Sequence, residues 1–422
     1  MKIAQINPNK AILSLRAHWL KCLLILIGVG IRLVLAGATV HPDLLSISAG
    51  DFLLTRKGVV NIYEYLAQAP ASERAVEVYG RSFFTYPPLA YFTLGFFNFL
   101  LSPLFSYNLY ARLLGGVEAF SGLGFDTDLL VLKFPYLIFD LLMAILLFRI
   151  FEKDKKKAWM AFFFWVFNPV SWYTSFMIGQ FDIIPTFLVV LSVYFALREK
   201  KGLAVWSLGV GASLKMFPLF FLPILILVLE KNIWQRLKLS LIGILSYLIT
   251  MAPFLRSSSF CQTVLFSGQS QKMLFSQLPV SGAEGIYLFV LGVVLIYLYA
   301  AYFGKKRDIW QYYFWILLLF FSVTHYHPQW FLWIMPFLIW MVVESDFGQL
   351  WLGFVLVGCW LTITLLFESS LSTGLFAPVF PQLARIDLGS LANLGNLSGY
   401  QIKSLARSVS AATSLWLVRL GL

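Results

Sequence analysis

Long apolar runs, separated by short polar stretches, recur along almost the whole chain. A helix that crosses a bilayer needs roughly 20 apolar residues. The pattern predicts membrane segments near 18–38, 89–105, 129–151, 158–177, 182–197, 239–255, 286–303, 309–325, 329–343 and 349–367, with a weaker one at 404–422. The run 203–229 is too short for two full spans, so it is predicted to form two short helices with Lys215 near their turn.

These runs predict an all-α, polytopic membrane bundle of roughly 11–14 segments that forms a single transmembrane unit over residues 1–422. The first run follows a tail with several basic residues, and no small-residue cleavage site comes after it. We therefore expect a membrane helix and not a signal peptide. The basic residues that accompany it are Lys2, Lys10, Arg16 and Lys21.

Four short loops rich in Lys and Arg lie between apolar runs, at 152–157, 198–201, 230–238 and 304–308. Short basic loops stay in the cytoplasm, which orients the whole bundle. Counting crossings from these loops assigns the other connections to the outer side. The outer segments are 39–88, 178–182, 256–285, 325–328 and 368–403.

One stretch leaves the count of crossings open. If 39–88 is outside and 152–157 is inside, the chain between them must cross an odd number of times, yet it holds two good spans. Either 106–122 is a third, returning segment, or 89–105 enters the membrane without crossing it.

Two outer loops are long. The loop 39–88 has too many residues for an idle connector, and its amphipathic sequence LLSISAGDFLLTRKG predicts a helix that lies on the membrane surface. The loop 368–403 carries no motif and is predicted to help select a substrate.

Composition excludes several classes of protein. Of the 422 residues 59% are hydrophobic and only 12% are charged, and 41 Phe outnumber the 20 acidic residues. A soluble domain, a disordered chain and a conventional nucleic-acid binder are thereby ruled out. The basic loops account for the net charge of +12. Cys22, Cys261 and Cys359 are too few and too scattered for a disulfide framework or a zinc site.

The outer side also collects the unusual polar residues, which are costly near a membrane unless they are used. Their grouping on one side predicts an outward-facing polar cavity roofed by the 39–88 loop. The candidates are Asp43, Asp51, Tyr86, Gln180, Asp182, Lys215, His325 and His327.

Each candidate also has a plain structural interpretation. Asp43 follows Pro42 and is either a proton acceptor for a sugar hydroxyl or a helix N-cap. Asp182 lies at the start of a predicted span and would, in its structural interpretation, also be a helix N-cap. Asp51 would, in its structural interpretation, lie on a solvated helix face. Lys215 either pairs with an acid or a bound anion, or extends to the interface.

The two histidines are a weak metal signal, because spacing marks no third ligand. Asp140 lies within a span and is interpreted as structural, paired with Lys133 or with a neighbouring helix. The chain has no G-x-S-x-G, Walker, G-x-G-x-x-G or H-E-x-x-H motif. A reaction on the outer face would therefore draw on a lipid-carried donor.

A series of short motifs runs through most of the chain in order. They are Asp43 after the first helix, Gly58 to Tyr63, Tyr86-Pro-Pro-Leu89, Lys133-x-Pro-x-x-x-x-Asp140, Asn168-Pro169, Gly179-Gln-Phe-Asp-x-x-Pro185, Gly209 to Pro223 around Lys215, and His327-Pro-Gln-Trp-Phe331. This order resembles the polytopic GT-C glycosyltransferases, which use polyprenyl- or dolichyl-phosphate sugars as donors.

The resemblance implies an inverting mannosyl- or glucosyltransferase of a bacterial plasma membrane, active on the outer face and building a cell-envelope glycan. Asp43, or alternatively Asp51, would be the base, and Asp182 would orient the acceptor or a metal. The implied partners are a polyprenyl-phosphate sugar and a lipid- or glycan-linked acceptor. Members differ in whether they need a divalent cation, so no cofactor is fixed. The residues implied to hold substrate and phosphate are Tyr86, Gln180, Lys215, Arg256, His325 and His327.

Two further hypotheses stand beside this one. A transporter or lipid-linked-sugar flippase of similar hydrophobicity would show inverted repeats, and no second copy of the Tyr-Pro-Pro-Leu or Gly-Gln-Phe-Asp motif is present. A non-catalytic partner in a membrane assembly is the third option, and it would be supported if the outer polar residues could be replaced without loss of function.

Overall fold

The computed structural model describes residues 8–394 and 397–421 and is about three quarters helical. The predicted all-α class is confirmed. Lys2 of the predicted basic tail, residues 395–396 of the predicted outer loop and residue 422 lie outside the described residues.

The first third of the chain contains two long helices separated by short ones. A 3₁₀ turn, Ser102–Leu104, follows the fifth helix, and another, Val117–Phe120, follows the sixth. The α-helices are α1 (Pro8–Ala38), α2 (Pro42–Lys57), α3 (Ile62–Gln68), α4 (Arg74–Tyr79), α5 (Pro88–Leu100), α6 (Leu109–Leu113) and α7 (Thr127–Ile150).

The middle third consists of apolar helices joined by tight connections. A π-helical segment, Trp172–Ile178, precedes the tenth helix, and 3₁₀ turns cover Phe217–Phe221 and Ala252–Phe254. The α-helices are α8 (Lys155–Val166), α9 (Pro169–Ser171), α10 (Ile183–Leu197), α11 (Lys201–Ala212), α12 (Leu222–Leu229) and α13 (Ile233–Met251).

The last third adds two small antiparallel ribbons, β1 (Gln277–Pro279) with β2 (Gly285–Tyr287) and β3 (Asn393–Leu394) with β4 (Leu397–Ser398). The remaining turns are π-helical at Cys261–Leu265 and 3₁₀ at Lys272–Leu274, Lys306–Asp308, Pro328–Trp333, Ser369–Leu371, Thr373–Phe376 and Pro381–Arg385. The α-helices are α14 (Ser258–Phe260), α15 (Gly268–Gln271), α16 (Leu288–Phe303), α17 (Ile309–Val323), α18 (Met335–Glu344), α19 (Leu350–Leu365), α20 (Leu388–Leu391) and α21 (Gly399–Gly421).

By length and composition, three helical stretches among the described residues are long and apolar enough to cross a bilayer: His18–Ala38, Thr127–Ile150 and Ile233–Phe254. Shorter apolar helices complete the bundle. Two of them reach their length through a 3₁₀ turn, α12 through Phe217–Phe221 and α18 through Pro328–Trp333.

The four basic loops meet at one end of the bundle. Arg198 pairs with Glu152, Lys306 pairs with Glu199, and the Lys201 Nζ lies 3.0 Å from a Glu230 oxygen. Because these contacts join loops that are distant in sequence, the prediction that they share one side is confirmed.

The run 203–229 forms the predicted pair of short helices, α11 and α12, with Lys215 in the turn between them. Helix α11 packs closely on α13, and a Cβ atom added to Gly209 would collide with the Gly243 carbonyl. Glycine is therefore required at this helix crossing.

The uncertain stretch 89–151 holds only one long helix. Helix α5 has 13 residues, about 20 Å at 1.5 Å per residue, which is short of a hydrocarbon core of about 30 Å. The segment 106–122 contains a five-residue helix and a 3₁₀ turn. The alternative in which 89–105 enters without crossing is therefore the one that the structure supports.

The outer loop differs from its amphipathic prediction. Residues 44–53 of α2 are all buried, so this helix is enclosed by protein and does not lie exposed on a surface. The second outer loop closes over it, since the Val40 N–H donates to the Leu375 carbonyl at 2.9 Å. The surface helix predicted for 44–58 is wrong because α2 packs against α5 and α6, which the local pattern does not encode.

Candidate substrate-binding cavity

A cavity of about 570 Å³ lies at the end of the bundle opposite the basic loops. Helix α10 shows the separation: Asp182 precedes its first residue and Arg198 follows its last, so the two lie 16 positions apart, or about 24 Å along the helix axis. The cavity is lined by the outer loop, the α11–α12 turn, segment 264–273 and the turn before α18. The predicted outward polar cavity is thus present.

Asp43 faces this cavity from the first turn of α2, with its side chain 39% exposed. The helix N-cap is His41, whose Nδ1 accepts the Asp43 N–H at 3.0 Å. Burial lowers the pKa of His41, so its imidazole is neutral and can accept. The N-cap interpretation of Asp43 is therefore wrong, and its carboxylate is available at the positive end of the helix dipole.

Gln180 connects Asp43 to Tyr86. Its Nε2 donates to Asp43 Oδ2 at 2.6 Å and lies 3.3 Å from the Tyr86 hydroxyl. Gly179, with φ +81°, ends the π-helical segment in the left-handed conformation that sets Gln180 in this position. Burial and the Asp43 charge raise the pKa of Tyr86, so the phenol keeps its proton and can donate.

Asp182 and Lys215 form a buried ion pair at the cavity wall, which Lys215 lines and behind which Asp182 lies. The Lys215 Nζ lies 2.9 Å from Oδ1 and 2.8 Å from Oδ2, and the Trp333 indole N–H donates to Oδ1. Asp182 makes no side-chain cap bond to α10, and Lys215 is only 8% exposed. The N-cap and interface-seeking interpretations are both wrong, and pairing with an acid is confirmed.

Aromatic rings form the remaining wall. Trp333 stacks on Phe217 with ring centroids 4.0 Å apart, and on Trp330 at 5.4 Å. The rings of Tyr86 and Trp330 also lie within 6 Å of the Lys215 Nζ, a distance at which cation–π attraction operates. The cavity therefore pairs a flat apolar face with a polar edge at Asp43.

His327 lines the cavity next to Lys272. The Lys272 Nζ lies 2.9 Å from His327 Nε2, and an ammonium group can only donate, so Nε2 accepts. Burial and the Lys272 charge lower the pKa of His327 to about 4. His327 is therefore neutral and can offer a hydrogen bond but no positive charge.

Asp51 lies outside the cavity, buried between α2 and α5. It is 1% exposed, accepts one hydrogen bond from Asn98 Nδ2 at 3.1 Å, and its Oδ1 has no partner among the described residues. Burial raises the pKa of this carboxyl well above its ordinary value. The solvated-face interpretation is wrong, and Asp51 cannot contact a ligand in the cavity.

The Asp51→Asn variant is expected to be at least as stable as the wild type, with a gain that grows with pH. The folded state keeps the Asp51 proton to higher pH than the unfolded chain, so the free energy of unfolding falls as pH rises. Thermal unfolding in detergent, compared in mildly acidic and mildly alkaline buffer, measures the difference. The exposed Asp346→Asn serves as control, and a lower midpoint for Asp51→Asn at both pH values would contradict the expectation.

Arg256 and His325 are exposed, and neither lines the cavity. Their predicted roles in holding substrate or phosphate there are not supported by position. Arg256 follows the turn Ala252–Phe254, and the His325 ring lies 6.1 Å from that of His327. Counting crossings assigns a residue to a side of the membrane but not to a cavity.

Two residues of the sequence motifs serve the packing of the bundle. The Lys133 Nζ donates to backbone oxygens of Ala36, Thr39 and Phe176 at 2.6–3.0 Å. Asp140 pairs with the Arg32 Nε at 2.7 Å, so of the two interpretations the neighbouring helix is correct and Lys133 is not its partner.

Sequence reasoning missed several residues at the site. His41, Trp333 and Glu368 line the cavity, and Lys272 contacts His327. Lys272 and Glu368 were detectable in principle, since both lie in segments assigned to the outer side. Within the described part of the chain, no three His, Cys, Asp or Glu residues come together in a group suited to a metal ion. A divalent cation stays an untested prediction.

The fold and site define a polytopic membrane protein with one polar, aromatic-walled cavity opposite its basic loops. Comparison with family profiles identifies the family: residues 71–333, more than half of the chain, match PIG-U, described as GPI transamidase subunit PIG-U. The chain belongs to this family. No curated protein gives a significant match to the sequence.

The family match overturns the predicted relationship to GT-C glycosyltransferases. Hexosyl transfer, the polyprenyl-phosphate-sugar donor and its acceptor, and the alternative of a transporter or flippase are wrong with it. The reason is visible in the bundle, because the motif residues Lys133, Asp140 and Asp182 are engaged with protein partners. Such motifs report how helices pack and do not specify sugar transfer.

Proposed function

We propose that this chain is the glycolipid-binding membrane subunit of a GPI transamidase complex, and that its cavity holds the head group of the GPI anchor. The family description supplies the complex, its protein partners and the anchor substrate. The cavity supplies a place for the polar part of that lipid at the outer end of the bundle.

The observation that carries the proposal is the half-exposed carboxylate of Asp43 beside the stacked rings of Trp330 and Trp333. A glycosylphosphatidylinositol head group presents many hydroxyl donors and flat apolar C–H faces. Ionised Asp only accepts hydrogen bonds, and aromatic rings cover apolar faces. The arrangement therefore suits a sugar or inositol ring, held at its edge by Asp43, whose carboxylate Gln180 positions from behind.

The residues that line the cavity favour a role in substrate binding over a role in catalysis. Transamidation through an acyl intermediate needs a nucleophile within hydrogen-bond reach of a base. Among the described lining residues there is no cysteine, and neither Ser82 nor Ser267 is hydrogen-bonded to a histidine. We therefore assign the bond chemistry to a partner subunit.

We propose further that residues 1–422 act as one membrane unit in the endoplasmic reticulum membrane, in place of the bacterial plasma membrane predicted from sequence. With the basic loops in the cytoplasm, the cavity opens to the lumen. The loops 39–88 and 368–403 both border it, through Asp43 and Glu368.

The test uses cells that lack their own copy of this chain and display a GPI-anchored reporter. We expect Asp43→Asn to lower reporter anchoring about tenfold or more, since a hydrogen bond to a charged group is worth about 1.5–3 kcal/mol. Flow cytometry measures the reporter, and immunoblotting confirms equal abundance of the chain.

The matched control is Asp346→Asn, which removes an exposed carboxylate at the basic end of the bundle. This variant is expected to anchor the reporter as the wild type does. Full anchoring by Asp43→Asn at equal abundance would sink the proposal that the cavity holds the glycolipid head group.

A further inference from the structure

Three cationic side chains from two distant segments converge beside the turn 325–327. The Lys272 Nζ contacts His327, and the Arg407 guanidinium lies 4.7 Å from the centre of the Tyr326 ring. The Lys403 Nζ lies 5.3 Å from the centre of the Phe367 ring. We call Lys272, Lys403 and Arg407 the rim cluster.

The rim cluster lacks carboxylate partners. Within residues 8–394 and 397–421, no carboxylate oxygen lies within 4 Å of a side-chain nitrogen of these three residues. The basic end of the bundle behaves differently, since Arg198, Lys201 and Lys306 are each paired there with a glutamate. Among the described residues the rim cluster therefore has no ion pair within 4 Å, and the Asp387 carboxylate acts on Lys403 only from beyond that distance.

The charges are close enough to act on one another. Burial lowers the pKa of His325, and the charges of Arg407, Lys272 and Lys403 lower it further. All three cations are half-buried, so water screens them less than it would at a free surface. A bound anion would relieve this repulsion.

Lys215, the cation that the sequence suggests for phosphate, is unsuited to that task. Both oxygens of Asp182 already engage its ammonium group. His327 carries no charge near neutral pH, as described above. The rim cluster, by contrast, supplies cations beside the cavity whose side-chain nitrogens have no carboxylate oxygen within 4 Å among the described residues.

Position points to the kind of anion. Lys403 and Arg407 lie in the first three turns of α21, and Lys272 contacts two residues that line the cavity, His327 and Trp330. An anion at the cluster therefore sits beside the cavity, where a helix meets the outer boundary of the membrane. Phosphate groups of lipids lie at this depth, and Arg and Lys bind them by charge-assisted hydrogen bonds.

We propose that the rim cluster is a phosphate-binding site that takes the phosphodiester of an inositol phospholipid. This inference deepens the proposed function by locating the phosphate of the same substrate, and it rests on that function for the identity of the lipid. Phosphate binding itself rests on the three unpaired cations.

The experiment uses the full chain in phosphatidylcholine nanodiscs, titrated with phosphatidylinositol and, separately, with inorganic phosphate. We expect the double variant Lys403→Gln/Arg407→Gln to bind phosphatidylinositol about tenfold or more weakly. The control Lys305→Gln/Arg307→Gln removes the same charge at the basic end and is expected to bind as the wild type does. Unfolding midpoints of both variants show that the fold is retained.

The proposed phosphate site would be overturned if the double variant and its control bound phosphatidylinositol equally well and also bound inorganic phosphate equally well. If only inorganic phosphate binds in a cluster-dependent way, the phosphate site is supported and its source is soluble phosphate. Phosphatidylinositol carries no glycan, so failure here leaves the Asp43 anchoring test untouched. Conversely, if Asp43→Asn anchors the reporter normally, the phosphate titrations still decide whether the rim cluster binds phosphate.

Discussion

Replacing Asp182 with asparagine is expected to destabilise the chain by about 3–5 kcal/mol, because it leaves the buried Lys215 ammonium without its counter-charge. Both carboxylate oxygens contact that ammonium group, and the Trp333 indole N–H donates to one of them. The turn between α11 and α12 would lose its anchor to α10. Thermal unfolding in detergent measures the loss, and reporter anchoring should fall with it.

The Lys215→Gln/Asp182→Asn double variant separates charge from packing. Neither side chain then carries an unpaired charge, so the double variant should be more stable than Asp182→Asn alone. Glu230→Gln breaks a half-buried ion pair at the basic end and should shift the unfolding midpoint less than Asp182→Asn does. A midpoint of Asp182→Asn that equals the wild type would show that Lys215 finds another partner.

Replacing Asp140 with alanine is expected to cost about as much, again about 3–5 kcal/mol, since it leaves Arg32 charged and buried. Arg32 also donates to the Gly28 and Val166 carbonyls at 2.9 and 2.6 Å, but these neutral groups cannot balance its charge. The pair attaches α1 to α7, and little of the apolar window of α1 is buried. Loss of α1 from the bundle is therefore the expected structural result.

Limited proteolysis and the unfolding midpoint measure this effect. The cleavage rate between α1 and α2 should rise in Asp140→Ala and should recover in part in Arg32→Gln/Asp140→Asn, where no charge is unpaired. Asp387→Asn removes a carboxylate from the exposed Pro381–Leu391 region and provides the matched control. Unchanged proteolysis in Asp140→Ala would mean that carbonyl contacts alone retain α1.

Local sequence determined much of the architecture. Hydrophobic runs and Lys-rich loops predicted the helices and the grouping of 152–157 with 198–201, because hydropathy and loop charge act residue by residue at a membrane. The same reasoning placed Asp43, Tyr86, Gln180, Lys215 and His327 on one side, where the structure brings them to one cavity.

The motif order was less informative about function. Lys133 and Asp140 match a recognisable spacing, yet they bind backbone carbonyls and Arg32. The same residue spacing can occur in proteins that share a fold but differ in function, since function depends on the site and not on the scaffold. The family match over 71–333, and not any motif, corrected the assignment.

Sequence by itself determined that this chain is a helical membrane protein, that its basic loops share one end, and which polar residues lie toward the opposite end. Only the tertiary structure decided that Lys215 is neutralised by Asp182, that Asp51 is sealed between α2 and α5, and that Lys272, Lys403 and Arg407 converge. The physical reason is distance along the chain. Partners separated by 33 residues, as Asp182 and Lys215 are, meet only through the packing of helices between them, and no local pattern of polarity specifies that packing.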